Sequence, residues 1–247
     1  MRRLDQAMVE RRLCESREKA KRAIMAGQVS INGRVARKPS DAVGHSDEVV
    51  LKKPERFVSR GGFKLEHALE HFAINVTGCT AIDLGASTGG FTDCLLQRGA
   101  AKIYAVDVGQ GQLAWKLRRD ARVVVMEKTN ARMLTPASFP SPFLPVELVV
   151  IDCSFISLRK ILPSTVALLR SSGKILALIK PQFEAGKAEA DKGAGVIRDP
   201  EIHQRVVSEL ARFVSGLPGL QWAGITESPV FGPAGNKEFL ALIEKRG

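Results

Sequence analysis

The chain has 247 residues, enough for a full α/β domain plus a small appended one, with a core that needs no cross-links. At 45% hydrophobic and 26% charged residues it is neither disordered nor fibrous, and no apolar run approaches the ~20 residues that span a bilayer. The net charge of +11 favours polyanionic partners, and its placement is uneven: residues 1–60 carry 15 Lys or Arg against 8 Asp or Glu.

Leu4, Ala7, Met8 and Leu13 are spaced to line one face of a first helix. Ser16 opens a second as its N-cap, with Ala20, Ala23 and Ile24 inward and Arg17, Lys19, Lys21 and Arg22 mostly outward. Gly27 ends that helix, and Val29-Ser-Ile31 followed by Asn32-Gly33 reads as a strand entering a tight hairpin. This helix, basic helix and Gly-Gln-Val-x-Ile-Asn-Gly hairpin resemble the S-four RNA-binding module. The resemblance implies that Arg17, Lys19, Lys21, Arg22 and Arg34 meet structured RNA, mainly through phosphates and shape.

Lys52-Lys53-Pro54-Glu55 reads as part of a short linker, after which strand and helix signals alternate as in a parallel sheet. Strands are expected at 80–84, 103–108, 123–128, 148–153 and 173–180, with helical stretches between them. Two more, at 225–230 and 238–244, have no helix-length segment between them, and Gly232, Pro233 and Gly235 there suggest a hairpin. The expected fold is α/β: a seven-stranded, mostly parallel sheet closed by an antiparallel hairpin, the methyltransferase variant of the Rossmann-like fold, preceded by a small α+β domain. The expected division is residues 1–52, a linker at 53–59, and 60–247.

The segment AIDLGASTGGFTDCLLQRGA runs from an apolar strand into an amphipathic helix through Gly85, Gly89 and Gly90, so backbone can approach a ligand closely. A phosphate-binding P-loop would end in Gly-Lys-Ser or Gly-Lys-Thr, and no lysine is present. The dinucleotide fingerprint is broken because Ser87 stands where its second glycine belongs. Asp83 suits a sulfonium cofactor, whose cationic end a carboxylate attracts, and Asp107 is placed to accept from ribose hydroxyls. Ala86, Ser87 and Phe91 complete the expected loop, and Glu127 and Asn130 are candidates for adenine contact or for loop capping.

Asp152 and Lys180 fall at the ends of strands four and five, where ligands of open α/β sheets bind. Lys64 in SRGGFKLEHAL and Glu238 in GPAGNKEFLAL are charged residues in glycine-rich settings. These four read either as two structural ion pairs or as a catalytic set. From about Val58 onward the chain resembles the FtsJ/RrmJ-type ribose methyltransferases, whose Lys-Asp-Lys-Glu tetrad is matched in order by Lys64, Asp152, Lys180 and Glu238. SRGGFKLEHAL, DLGASTGGFTDCLL and IDCSFISL behind an S-four-like module resemble the haemolysin-like TlyA family more closely still. Ser87-Thr88 departs from the Ala-Pro usual in the glycine loop of the broader group.

The resemblance implies S-adenosylmethionine as cofactor, ribosomal RNA or ribosomal subunits as partner, and methylation of a ribose 2′-hydroxyl with Lys180 as base. The alternatives are an assembly factor with an inactive fold, and a membrane-active protein, against which the basic helix lacks an apolar aromatic face. Base methylation through Cys153 lacks the usual Pro-Cys setting, and Asp152-Cys-Ser-Phe155 lacks the paired prolines of exocyclic-amine methyltransferases. Cys14, Cys79, Cys94 and Cys153 show no C-x-x-C spacing, so neither a metal site nor a disulfide framework is expected. A cytoplasmic location and no stable membrane association are expected.

Overall fold

The structure, a computed structural model, describes residues 1–52, 56–186, 189, 191 and 193–246. The chain folds as two compact units, Met1–Arg56 and Phe57–Gly247. Lys53, Pro54 and Glu55 of the expected linker lie outside the described residues. Phe57 and Val58, inside that expected linker, already belong to the second unit: Phe57 is buried in its core, and the Val58 amide donates to Asp93 Oδ2 at 2.8 Å.

In the first unit, β1 (Arg2–Arg3) leads into α1 (Leu4–Glu10) and α2 (Arg17–Met25), followed by β2 (Val29–Ile31), β3 (Arg34–Val35), β4 (Ala42–Val43) and β5 (Val49–Leu51). Leu4, Ala7, Met8, Ala20, Ile24 and Val29 form one core. The Ser16 side chain caps α2, accepting from the Lys19 amide at 3.3 Å. Asn32 and Gly33, at φ 49° and 78°, make the left-handed pair of a two-residue hairpin. Leu13 is not on the first helix as expected. The chain leaves α1 at Arg11, whose guanidinium is held by the Asp47 and Gly44 carbonyls at 2.6 and 2.8 Å, and Arg12 turns left-handed.

The second unit contains α3 (Gly61–His71), β6 (Thr80–Leu84), α4 (Gly90–Gln97), β7 (Lys102–Val106), α5 (Trp115–Arg118), β8 (Val123–Met126) and β9 (Val146–Ile151). It continues with α6 (Leu162–Thr165), β10 (Leu169–Ile179), α7 (Pro181–Glu184), α8 (Pro200–Ser215), β11 (Leu220–Glu227) and β12 (Phe239–Lys245). The sheet order is β11-β12-β10-β9-β6-β7-β8, with β12 antiparallel to both neighbours and β6 to β10 parallel. Alternate residues enter two cores: Ile82, Leu84, Val149 and Ile151 on one face, Ala81, Leu148 and Val150 on the other.

Three expectations shift. The β8–β9 connection carries 3-10 turns (Ala131–Met133 and Pro136–Ser138) in place of a helix, because Pro136, Pro140, Pro142 and Pro145 each remove an amide donor. Strand β11 begins at Leu220, earlier than expected, because it pairs along the whole of β12 from Leu220 opposite Lys245 to Glu227 opposite Phe239. Strands β7, β9 and β10 stop one or two residues short of their expected ends. Asp107, Asp152 and Lys180 therefore sit just beyond the ladder, where their side chains are free to turn toward one end of the sheet.

Candidate active site

Parallel pairing of β9 with β10 sets Asp152 and Lys180 side by side after their strands, and Lys180 Nζ meets Asp152 Oδ1 at 2.7 Å. Lys64, in the first turns of α3, meets Glu238, which precedes β12, at 2.5 Å. Glu238 is 1% exposed, and both lysines are buried. A Cβ at Gly232 would stand 2.5 Å from Glu238 Oε1, so the preceding turn closes tightly over this carboxylate and a side chain there would displace it. All four side chains line one cavity of about 240 Å³. The structure thus brings the expected four together as two ion pairs.

Gly85, Ala86, Ser87, Gly90 and Phe91 line the same cavity. Gly85, at φ +84°, passes the Asp152 backbone so closely that a Cβ would stand 2.8 Å from its carbonyl oxygen. The Gly85 and Ala86 amides donate to the Val106 carbonyl at 2.9 and 3.1 Å, which ties the loop to β7. Gly89 is the left-handed residue preceding α4 and packs against Leu113 and Leu117, outside the cavity lining.

Asp83 is fully buried beneath this loop. Its Oδ2 accepts from Thr92 Oγ1 at 2.6 Å, while Oδ1 has no partner among the described residues. Burial pushes its carboxyl up to about 7. Asp107 shapes the loop through backbone amides, accepting from Ser87 at 2.8 Å and Gly109 at 2.6 Å. Glu127 accepts from the Gly111 amide at 2.7 Å and pairs with Arg118, and Asn130 caps the 3-10 turn through the Arg132 amide at 3.0 Å. The structure therefore places both Glu127 and Asn130 in loop-holding bonds away from the cavity lining.

Sequence reasoning missed a second cavity, of about 350 Å³, which shares Ser154, Lys180, Pro233 and Glu238 with the first. Phe155 and Phe183 line it with ring centroids 5.2 Å apart, and Phe155 is 90% exposed at φ +62°. Asn236, 2% exposed, accepts from the Ile197 amide at 2.9 Å and donates to the Gly195 carbonyl at 2.8 Å, building the opposite wall. Ser154 accepts from Lys180 Nζ at 2.8 Å, and its only sequence signal was its place in the Asp-Cys-Ser-Phe run. Ser59, Arg60 and Gly61, also missed, line the first cavity from the glycine pair that opens α3. Cys153 is held as an inert thiol, pushed up to about 12 by burial and then by the Asp152 charge.

In the first unit, Arg17 meets the fully buried Asp5 at 2.9 Å beside Arg3, and these hold the Asp5 carboxyl down at about 2, the Arg3 hydrogen bond contributing most. Lys19 pairs with Glu15, and Lys21 with Glu18 at 2.7 Å. Arg22 and Arg34 are exposed. Among the described residues, no helix is long and apolar enough to cross a membrane.

The family model for FtsJ-like methyltransferases matches residues 57–245, and that for the S4 domain matches residues 2–49. The Bacillus subtilis protein YqxC is 52% identical over 246 residues, 99% of this chain and 86% of its own. The 16S/23S rRNA (cytidine-2′-O)-methyltransferase TlyA of Mycobacterium tuberculosis is 48% identical over 243 residues, covering 98% and 89%. A crystallised Lactococcus lactis chain superimposes with TM-score 0.74 at 49% identity, over 78% of this chain and 90% of that one. The chain therefore belongs to the FtsJ-like methyltransferase family, in the TlyA group, with an S4 domain preceding its methyltransferase unit.

Proposed function

We propose that this enzyme methylates a ribose 2′-hydroxyl in ribosomal RNA, with Lys180 as the base. The observation that carries the reading is the convergence of Lys64, Asp152, Lys180 and Glu238 on one cavity whose other wall is the glycine loop. The M. tuberculosis relative is named for 2′-O-methylation of cytidine in 16S and 23S rRNA.

S-adenosylmethionine is the cofactor, and it supplies a methyl group already activated by a sulfonium. The loop suits it: Gly85 admits backbone where a side chain would collide, and Asp83 buries a carboxylate oxygen with no partner among the described residues under that loop. Gly85, Ala86, Ser87, Gly90 and Phe91 would hold it, with Asp107 fixing the loop. The chain's own task is then to orient the hydroxyl and accept its proton. Neutral Lys180 Nζ takes that proton as the oxygen acquires the methyl group. Asp152, 2.7 Å away, balances the resulting ammonium, and the Lys64–Glu238 pair fixes the facing wall. The aromatic cavity sharing Lys180 offers stacking surface for the acceptor nucleoside.

Methyl transfer from labelled cofactor to separated ribosomal subunits and naked rRNA tests the reading. Label is expected in alkali-resistant dinucleotides, since a methylated 2′-oxygen cannot attack the adjacent phosphate, and Lys180→Ala is expected to abolish it. Alkali-labile product would refute ribose methylation. Full activity in Lys180→Ala would refute the base assignment.

A further inference from the structure

Lys180 Nζ has three positions besides its bond to carbon, and hydrogen-bond acceptors among the described residues fill two of them. Asp152 Oδ1 lies at 2.7 Å and Ser154 Oγ at 2.8 Å. A neutral amine that donates one N–H to each of these acceptors has its lone pair left in the third position. Both cavities border this pair, since Lys180 and Ser154 line each of them.

We infer that Ser154 is a positioning residue which, together with Asp152, aims the Lys180 lone pair at the acceptor hydroxyl; this rests on Lys180 being the base. The fold holds the serine in register with the lysine. Its loop leaves β9 after Ile151, turns at Phe155 with φ +62°, and is caught again two residues later. There the Glu184 carboxylate accepts from Ser157 Oγ at 2.6 Å and from the Leu158 amide at 2.7 Å. Glu184 ends α7, the short helix that begins immediately after Lys180, so one carboxylate ties the serine's loop to the lysine's own segment.

With Asp152 as the only acceptor, the amine rotates about its final bond and the lone pair divides its time between two positions. With both acceptors present it has one. The proton transferred from the 2′-oxygen then becomes the third N–H, and the resulting ammonium keeps both of its existing partners. Ser154 is itself exposed, so in the free enzyme water can replace a missing hydroxyl. Bound substrate excludes that water, so the effect belongs to the complex and to its turnover rate.

The test compares wild type, Ser154→Ala, Ser154→Thr and Lys180→Ala as full chains. Single-turnover methyl transfer to saturating ribosomal subunits is followed from about pH 6.5 to 10. Loss of an acceptor for the ammonium lets the amine give up its proton at lower pH. In Ser154→Ala the acidic limb is expected to move about 0.5–1 unit to lower pH, the size of one ordinary hydrogen bond. Misdirection of the lone pair is expected to lower the plateau roughly threefold to tenfold. Cofactor affinity is expected to stay unchanged, and Ser154→Thr to restore both limb and plateau. A Ser154→Ala profile that overlays wild type overturns the inference, and so does a loss of rate with the limb unmoved. Full activity in Lys180→Ala overturns the base assignment itself, whereas an inactive Lys180→Ala beside an unmoved Ser154→Ala limb overturns only the role of the serine.

Discussion

Whether the Lys64–Glu238 pair serves the chemistry or only the fold can be decided by a double-mutant cycle. The two side chains are 8% and 1% exposed and 2.5 Å apart, so removing either strands a charge in the interior. Such a break costs about 3–5 kcal/mol. Phe57–Gly247 spans about 190 residues, for which the unfolding entropy is about 0.4 kcal/mol per kelvin, so Lys64→Met or Glu238→Gln should lower its Tm by about 8–12 °C. The double variant replaces the charges with uncharged groups of similar shape and should recover most of the loss, giving a coupling of about 2 kcal/mol or more. Thermal unfolding followed by circular dichroism reads the stability, and methyl transfer to ribosomal subunits reads the chemistry. All three variants should be inactive, including the stable double variant. If the double variant turns over like wild type, the pair is architectural and its place in the site is refuted. If each single change costs under about 1 kcal/mol, the burial argument fails.

Further expectations concern charge. The Asp83 carboxyl is raised from an ordinary value of 3.8 to about 7 by burial, so its favourable contribution is complete below about pH 4 and is lost as pH rises through 7. Unfolding free energy should fall by up to about 4 kcal/mol across that window, and Asp83→Asn should remove this dependence. Ionised Asp83 should also favour the sulfonium: the preference for S-adenosylmethionine over S-adenosylhomocysteine should rise with pH through 7 and stay flat in Asp83→Asn. A flat wild-type titration would reject the attraction. In the first unit, Arg17→Ala should cost about 1 kcal/mol of stability, because it removes one charge-assisted hydrogen bond from buried Asp5 while Arg3 keeps its own. Arg22→Ala, at an exposed position, should leave stability within ~0.5 kcal/mol and weaken rRNA binding, with a salt slope shallower by about 1. Equal thermal stabilities of the two variants would refute this division of labour.

Much of the sheet was legible because its parallel strands are buried on both faces and therefore appear as short apolar runs ending in a charged residue. The Ser16 cap and the Asn32-Gly33 turn were legible because both are local chemistry. Lys64 and Glu238 were identifiable only through their pattern, since the ion pair joins residues from opposite ends of the catalytic unit. Ser154 and the Phe155–Phe183 cavity were missed for a related reason. A serine or phenylalanine acquires a role there only once β9 and β10 are adjacent and Glu184 has folded the intervening loop back. Glu127 and Asn130 carry plausible ligand chemistry, but nearby backbone amides use it first.

Asn236 holds its neighbouring segment through main-chain atoms alone, the Gly195 carbonyl and the Ile197 amide. Ala194 and Gly195 are both left-handed there, so that anchorage depends on the path of the backbone more than on the residues that follow it. Outside Gly193, Gly195 and Gly232, which must stay glycine or strain the backbone or the carboxylate, the wall beside Glu238 can therefore accept new side chains. A lineage adapting to a different neighbourhood could rewrite the rest of this surface by substitution while the Lys64–Glu238 pair stays as it is.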